Sequence, residues 1–250
     1  FHRERFRFGD MVVAAAGNVE HEELKRLLLE RQSEPDRNGL ERAAALPPAR
    51  PRRHFVSKDT EQMHVCLGGP SLARDDDRRY ALSVLDSLFG GSLSSRLFQE
   101  VREKRGLVYS IYSFSNLYQE TGLSGLYFGC RPERLGTVME VVGRELVRLV
   151  KEPVPPDELA RAKEHLKGKV ILGLENTASR MTRLGKGLLT KTEILSLDEL
   201  AARIDAVTSE ELMELATHVY HPGNLSVVGI GADESQFVSV VPEDCLSGLE

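Results

Sequence analysis

Leu107–Tyr118, LVYSIYSFSNLY, and Leu123–Cys130, LSGLYFGC, stand on either side of the polar Gln119-Glu120-Thr121-Gly122. Both runs are rich in aromatic and β-branched residues with partial alternation, so they read as an antiparallel pair of strands. Just upstream, Ala81, Val84, Leu85 and Leu88 recur at helical spacing. Asp75, Asp76 and Asp77 precede them with the negative charge that favours a helix N-terminus, and Gly90-Gly91 stops the run. A second helix is expected from an N-cap at Ser94 or Ser95, burying Leu97, Phe98 and Val101 and ending at Gly106. Further back, His54–Lys58 and Gln62–Leu67 read as two strands around Asp59-Thr60-Glu61, forming a hairpin or a pair, with Gly68-Gly69-Pro70 closing the second. Downstream, helical patterns run from Leu135 to Leu149, from Pro156 to about Leu189, from Leu197 to Ile204 and from Ser209 to Tyr220, and Leu225–Ile230 reads as a last strand. Strands and helices are grouped instead of strictly alternating. This predicts an α+β fold, a mixed or antiparallel sheet covered by helices on one face.

The opening of the chain reads as strand then helix, Met11–Ala16 followed by a helical pattern from Glu20 to Leu29. Between about Gln32 and Arg53 four prolines deny a helix and charge replaces apolar periodicity, so this stretch is expected to be a linker. Its Arg50, Arg52 and Arg53 are read as a solvated connector in preference to a basic docking patch. The pattern Asp10-Met11-x-Val13-x-x-x-Gly17 returns as Asn224-Leu225-x-Val227-x-x-x-Gly231. If this is a true repeat, the chain opens on the end of one copy and continues through a second. The expected organisation is a terminal strand and helix of a preceding, mostly missing module over 1–31, a linker over 32–53, one module over 54–240 and a tail over 241–250.

Composition narrows the function classes. Thirty-three Lys and Arg against 38 Asp and Glu give a net charge of -5, which offers no basic field to a phosphate backbone, and nucleic acid is not an expected partner. Met11–Ala16 falls far short of the roughly 20 apolar residues of a membrane span, so no membrane insertion is expected. The start FHRERFRFGD carries no secretory signal pattern. Cys66, Cys130 and Cys245 are widely spaced, which implies neither a disulfide framework nor a cysteine metal site. A reducing, cytoplasmic setting is the default expectation, with an organelle matrix or the periplasm left open.

Gly90–Ser113, GGSLSSRLFQEVREKRGLVYSIYS, is more specific than any of these patterns. It resembles the second half of the insulinase/pitrilysin-type zinc metallopeptidases, in the branch of the mitochondrial processing peptidase and its bacterial relatives. The resemblance continues through TEQMHVCLGGPSL, ELARAKEHLKGKVILGLENTASRM and IDAVTSEELMELA, spanning His54 to about Gln236, and MVVAAAGNVEHEEL looks like the end of the preceding half. It implies two modules facing one another across a chamber. The first supplies an inverted H-x-x-E-H zinc motif, and the second contacts an extended peptide substrate. No pair among the seven histidines has that spacing here. Zinc is therefore expected in an amino-terminal module or partner on the same or another chain, with no metal or cofactor site in this one; association of like chains is left open. The alternative is a catalytically inactive member that acts as a binding or assembly subunit.

Arg102 and Tyr109 are the candidate catalytic residues. The resemblance implies that this arginine and tyrosine, seven positions apart, reach the substrate carbonyl or its developing oxyanion in trans to the zinc module, and both groups can donate hydrogen bonds to it. Read from the residues alone, Arg102 pairs with Glu103 or Glu100 and Tyr109 is a strand aromatic. Arg105, just before Gly106, suits a helix C-terminus. His218 and His221 are read as helix-end residues, Glu164 beside His165 as a solvated face, and Ser92, Ser94 and Ser95 as turn and cap residues. Gly90-Gly91 fits no phosphate-binding loop.

Overall fold

A computed structural model describes residues 11–31 and 52–241. The linker read over 32–53, apart from its last two residues, and the tail after Val241 lie outside the described residues, as does Cys245. The described chain forms two compact units. The larger contains residues up to Gly168 from the linker onwards together with everything after Asp198; the smaller joins the leading segment to 169–198.

The larger unit is built on a five-stranded sheet. Its strands are β1 (Arg53–Ser57), β2 (Met63–Ser71), β3 (Val108–Leu117), β4 (Gly122–Cys130) and β5 (Ser226–Gly231), in the order β1-β5-β2-β4-β3. β5 runs parallel to β1 and antiparallel to β2, and β2, β4 and β3 are antiparallel throughout. The alternation in β3 and β4 forms the expected pair. β1 and β2, in contrast, are not a hairpin, because β5 lies between them. A hairpin reading follows from local sequence, whereas β5 returns from about 160 residues downstream and takes both edges. β2 also runs past Gly68-Gly69-Pro70 to Ser71. Beyond Gly68 it has β4 alone as neighbour, where a proline without an N–H is tolerated. A β-carbon at Gly69 would stand 2.5 Å from the carbonyl oxygen of Asn224, so glycine there serves close packing.

One face of the sheet is sealed by helices. Met63, Val65 and Leu67 of β2 and Leu126, Phe128 and Cys130 of β4 point into the core by the period-two rule. Against them pack α2 (Arg79–Phe89), with Ala81, Val84, Leu85 and Leu88 buried, and α3 (Leu135–Lys151), with Leu135, Val138, Val142, Leu146 and Leu149 buried. Each Leu or Phe fully withdrawn from water contributes about 1.5–3 kcal/mol. Ser115, Ser124 and Ser71 join three strands by hydroxyl contacts of 2.9 and 2.7 Å.

The helical pattern from Pro156 to Leu189 is two helices, α4 (Pro156–Glu175) and α5 (Thr177–Leu189). Asn176 breaks it, because its side-chain oxygen accepts the N–H groups of Ala178 and Ser179 and caps α5. α6 (Leu197–Asp205) and α7 (Ser209–Val219) follow, the latter opened by a reciprocal capping box between Thr208 and Glu211. α8 (Glu234–Val240), unannounced by the sequence reading, places Phe237 5.1 Å from the ring of Phe55. Val241 is fully buried and accepts a hydrogen bond from Arg53, so the packed unit includes a residue assigned to the tail and one assigned to the linker.

In the smaller unit α1 (His21–Arg31) buries none of its residues. Met11–Ala16, expected as a strand, has no strand pairing; an isolated apolar run gains nothing from extension without a neighbour to bond. Of the two matching glycine-terminated patterns, only the second is a strand, β5.

Gly90 ends α2 where the chain touches β3, and a β-carbon built there would lie 2.3 Å from the Ser113 nitrogen. Gly90→Ala is expected to cost about 1–3 kcal/mol through forced backbone displacement, read from urea unfolding. An unchanged midpoint would contradict this contact.

Candidate functional site

Residues 92–107 do not form the ordinary helix expected of them. Leu97 and Val101 are buried as the spacing requires, but Phe98–Glu103 is a six-residue π-helix. Serine caps play no part: Ser95 Oγ donates to the carbonyl of Ser92 at 2.6 Å. The wide turn ends at Gly106, whose φ of +58° is the left-handed conformation that glycine adopts without penalty. π-helical turns interrupt regular hydrogen bonding and occur disproportionately at functional sites.

Three charge contacts hold this turn. Arg96, nearly sealed from solvent, donates from Nε and Nη2 to the two carboxylate oxygens of Glu158 at 2.7 and 2.9 Å, tying the turn to the start of α4. Its Nη1 is buried and has no hydrogen-bond partner among the described residues. Glu100 receives Lys104 and also Arg105, whose Nη1 lies 2.5 Å from Oε2 and 2.6 Å from the Glu100 carbonyl. These donors hold the Glu100 carboxyl below the usual glutamate range. Arg105 is thereby engaged in closing the turn, as its place before Gly106 suggested.

Arg102 is left without such a partner. Neither Glu100 nor Glu103 pairs with it, and among the described residues no carboxylate forms an ion pair with its guanidinium. It lies instead over two rings, 4.8 Å from the centroid of Phe98 and 5.4 Å from that of Tyr109. The fold thus brings the two candidate residues together. Tyr109 occupies a β-bulge: the register of β3 against β4 passes from Val108↔Cys130 directly to Ser110↔Gly129. A bulged residue is released from strict alternation and re-aimed. Tyr109 is 78% exposed, more than any other large apolar or aromatic residue of β3.

The face of the sheet opposite α2 and α3 adds residues that the sequence patterns did not single out. Tyr112 and Tyr127 are cross-strand partners with rings 5.1 Å apart, and the Tyr127 hydroxyl lies 2.7 Å from His64 Nδ1. Burial, with the neighbouring Tyr112, pushes the Tyr127 phenol above its usual pKa. The signal was the alternation of aromatic positions opposite the core set. Arg96 had a signal too, a lone cation within an apolar helical run.

The other candidates are not assembled into a site. His221 Nδ1 accepts the N–H of Gly223, His165 contacts Ser87 at 3.2 Å, and Glu164 pairs with Lys167. Among the described residues no three His, Cys, Asp or Glu side chains could together hold a metal ion, so the residues present do not fit a zinc centre. Cys66 and Cys130 are free thiols raised in pKa chiefly by burial, Cys130 to about 11. No described helix is long and apolar enough to cross a membrane.

The family model of the peptidase M16 inactive domain matches residues 1–166. The chain belongs to the peptidase M16 family. It is the carboxy-terminal, inactive module of that zinc metallopeptidase family, with the α+β fold. A protein named as a zinc protease in Streptomyces coelicolor is 39% identical over 241 residues, covering 92% of this chain and 52% of that protein. Another so named in Mycobacterium tuberculosis is 41% identical over 228 residues, covering 88% and 51%. An M16 inactive domain of known structure from Pseudomonas fluorescens shares the fold at 24% identity, with a TM-score of 0.69 over 78% of this chain and 47% of that one. This M16 module spans about half the length of the relatives it matches.

The clamp on the π-helical turn has a defined pH response. Because the folded-state pKa of Glu100 lies below its unfolded value, the clamp contributes fully above the unfolded range and is lost as pH falls through the folded value. Carbon NMR is expected to show Glu100 titrating below ordinary glutamates, with the turn loosening below that midpoint. Glu100→Gln should loosen it at every pH, and an ordinary midpoint would remove the clamp.

Proposed function

We propose that this chain is the substrate-positioning module of a zinc metalloendopeptidase acting on extended peptides or unfolded segments. The observation that carries the reading is the guanidinium of Arg102, in no ion pair among the described residues, stacked on the exposed ring of Tyr109. A positive group that no described carboxylate neutralises, beside a solvent-facing phenol, makes two hydrogen-bond donors available to one oxygen. That oxygen is the scissile carbonyl. As it gains negative charge the two donors bind it more tightly than in the ground state, which lowers the barrier.

An extended peptide is presented by strand addition. β3 is the last strand of the sheet, and among the described residues its outer edge has no strand partner. Main-chain bonds along such an edge supply affinity without regard to sequence, and alternate side chains meet the Tyr112 and Tyr127 face. That the relatives are named as zinc proteases supports assigning the zinc ligands and the water-activating base to an amino-terminal module, on the same or another chain. A binding or assembly subunit of the same fold is the competing outcome of the tests below.

The chain purified alone is expected to hold no stoichiometric zinc and to cleave no peptide. Metal analysis and a quenched-peptide assay check this; one chelator-sensitive zinc per chain would contradict it.

In the two-module protein, Arg102→Ala and Tyr109→Phe are each expected to raise the barrier by about 2–4 kcal/mol, seen in kcat far more than in peptide affinity. Melting temperature should hardly move, since neither side chain fills the core. Destabilised variants with unchanged kcat per folded molecule would end the catalytic role, and unchanged kinetics in folded variants would favour the binding subunit.

A further inference from the structure

The turn that carries Arg102 has two registers open to it. Leu97 and Val101 are buried, and their spacing is met by an ordinary helical turn as well as by the π-helical turn Phe98–Glu103. The two differ by one residue, about 100° of rotation around the helix axis. A slip of that size carries the Arg102 guanidinium off the ring of Tyr109 while Leu97 and Val101 keep helical spacing. Apolar contact does not choose between the registers, so the choice falls to directional bonds. At the exit of the turn Glu100 holds Lys104 and Arg105. At its entry the bond is that of Arg96 to Glu158.

Glu158 stands on a fixed post. Just ahead of α4 the N–H of Val154 donates to Ser209 Oγ at 2.8 Å, and Ser209 opens α7. One turn beyond Glu158, Ala162 is buried, and His165 Nδ1 lies 3.2 Å from Ser87 Oγ of α2. The first turns of α4 are thus held from α7 and from α2. Arg96 reaches them through Nε and Nη2 at 2.7 and 2.9 Å, with its side chain only 6% exposed. Two parallel bonds from a planar fork fix direction as well as distance, which a sliding apolar contact does not.

Stability alone does not account for this pair. Withdrawing two charges from water offsets most of what their attraction returns, and apolar residues of similar size commonly hold such a place as well or better. The buried Nη1, with no hydrogen-bond partner among the described residues, adds a further cost. What an ion pair supplies and an apolar pair does not is a single register. We infer that Arg96 and Glu158 are positioning residues, which select the register of the π-helical turn that sets the Arg102 guanidinium over Tyr109. The geometric content stands by itself; its effect on rate rests on the role proposed above for Arg102.

Arg96→Met/Glu158→Met tests the inference, since it removes both charges at comparable length and leaves neither buried alone. In the 250-residue chain the melting temperature is expected to hold or rise. The Arg102 Nε proton, shifted upfield in NMR by the Tyr109 ring, should move to the position it takes in Tyr109→Leu. In the two-module protein kcat should fall about ten- to a hundredfold with KM little changed. Added to Arg102→Ala, the methionine pair should bring no further loss, because it acts through that residue. Arg96→Lys keeps the charge without the fork; it should move both readouts in the same direction, and it carries the test if the methionine pair does not fold. An unmoved Arg102 resonance in a folded variant overturns the inference. So does a kcat that falls in Arg102→Ala and not in the pair variant, or a loss in the pair variant that adds in full to that of Arg102→Ala. A moved resonance with kcat unaltered in both the pair variant and Arg102→Ala upholds the positioning and removes the catalytic role instead.

Discussion

The site depends on one contact between α2 and β3. Ser113 Oγ donates to Asp86 Oδ1 at 2.6 Å, and the N–H groups of both Gly90 and Gly91 reach the Asp86 carbonyl. Gly90 lies so close to the Ser113 backbone that a methyl group has no room. The chain between them, residues 91–112, is therefore a loop with both ends pinned at one point. A closed loop of fixed ends has little conformational freedom left to lose, and the interactions within it can hold an irregular backbone that would not survive alone. The π-helical turn and the Tyr109 bulge both lie inside this loop.

Inside the loop, the charges sort themselves by partner. Glu158 takes Arg96 in a bidentate, largely buried pair, and Glu100 takes Lys104 and Arg105. Breaking a buried pair by removing one partner costs about 3–5 kcal/mol, so Arg96 and Glu158 together locate the turn more than they stabilise it. With Glu100 saturated by two cations, a third has little to gain from it. Arg102 is left to the ring faces of Phe98 and Tyr109, contacts worth about 0.5–1 kcal/mol at an exposed site. So weak a hold keeps a guanidinium in place without satisfying its donors.

The strands and helices that rest on local periodicity were legible in the sequence: β3 with β4, and α2, α3, α6 and α7 to within a few residues. What was not legible required distant partners or local departures from a period. β5 between β1 and β2 is a long-range pairing that no window of sequence contains. Asn176 breaks α4 from α5 through a side-chain cap, while the apolar spacing continues on both sides. Leu97, Phe98 and Val101 satisfy an α-helix and a π-helix alike, because one extra residue per turn barely moves three neighbouring positions. Tyr109 looked like a strand aromatic for the same reason, since a bulge of one residue leaves composition unchanged. Arg102 and Tyr109 were selected by resemblance; their juxtaposition belongs to the three-dimensional structure.

These departures from regularity have a common consequence. In a regular strand, Tyr109 would follow the alternation that sends Ile111 and Ser113 into the core, and in a regular helix Arg102 would have Glu100's companions as competitors along the same ladder of bonds. The bulge turns the phenol outward, and the wider turn sets the guanidinium over its ring. Each irregularity interrupts regular backbone hydrogen bonding, and it is at these two irregularities that Arg102 and Tyr109 lie. A core with Leu85, Leu97, Val101 and Phe128 fully buried around the loop supplies the rigidity that lets two polar groups face solvent in a fixed relation. In the role proposed for Arg102 and Tyr109, donors preorganised in this way would require no rearrangement when charge appears opposite them.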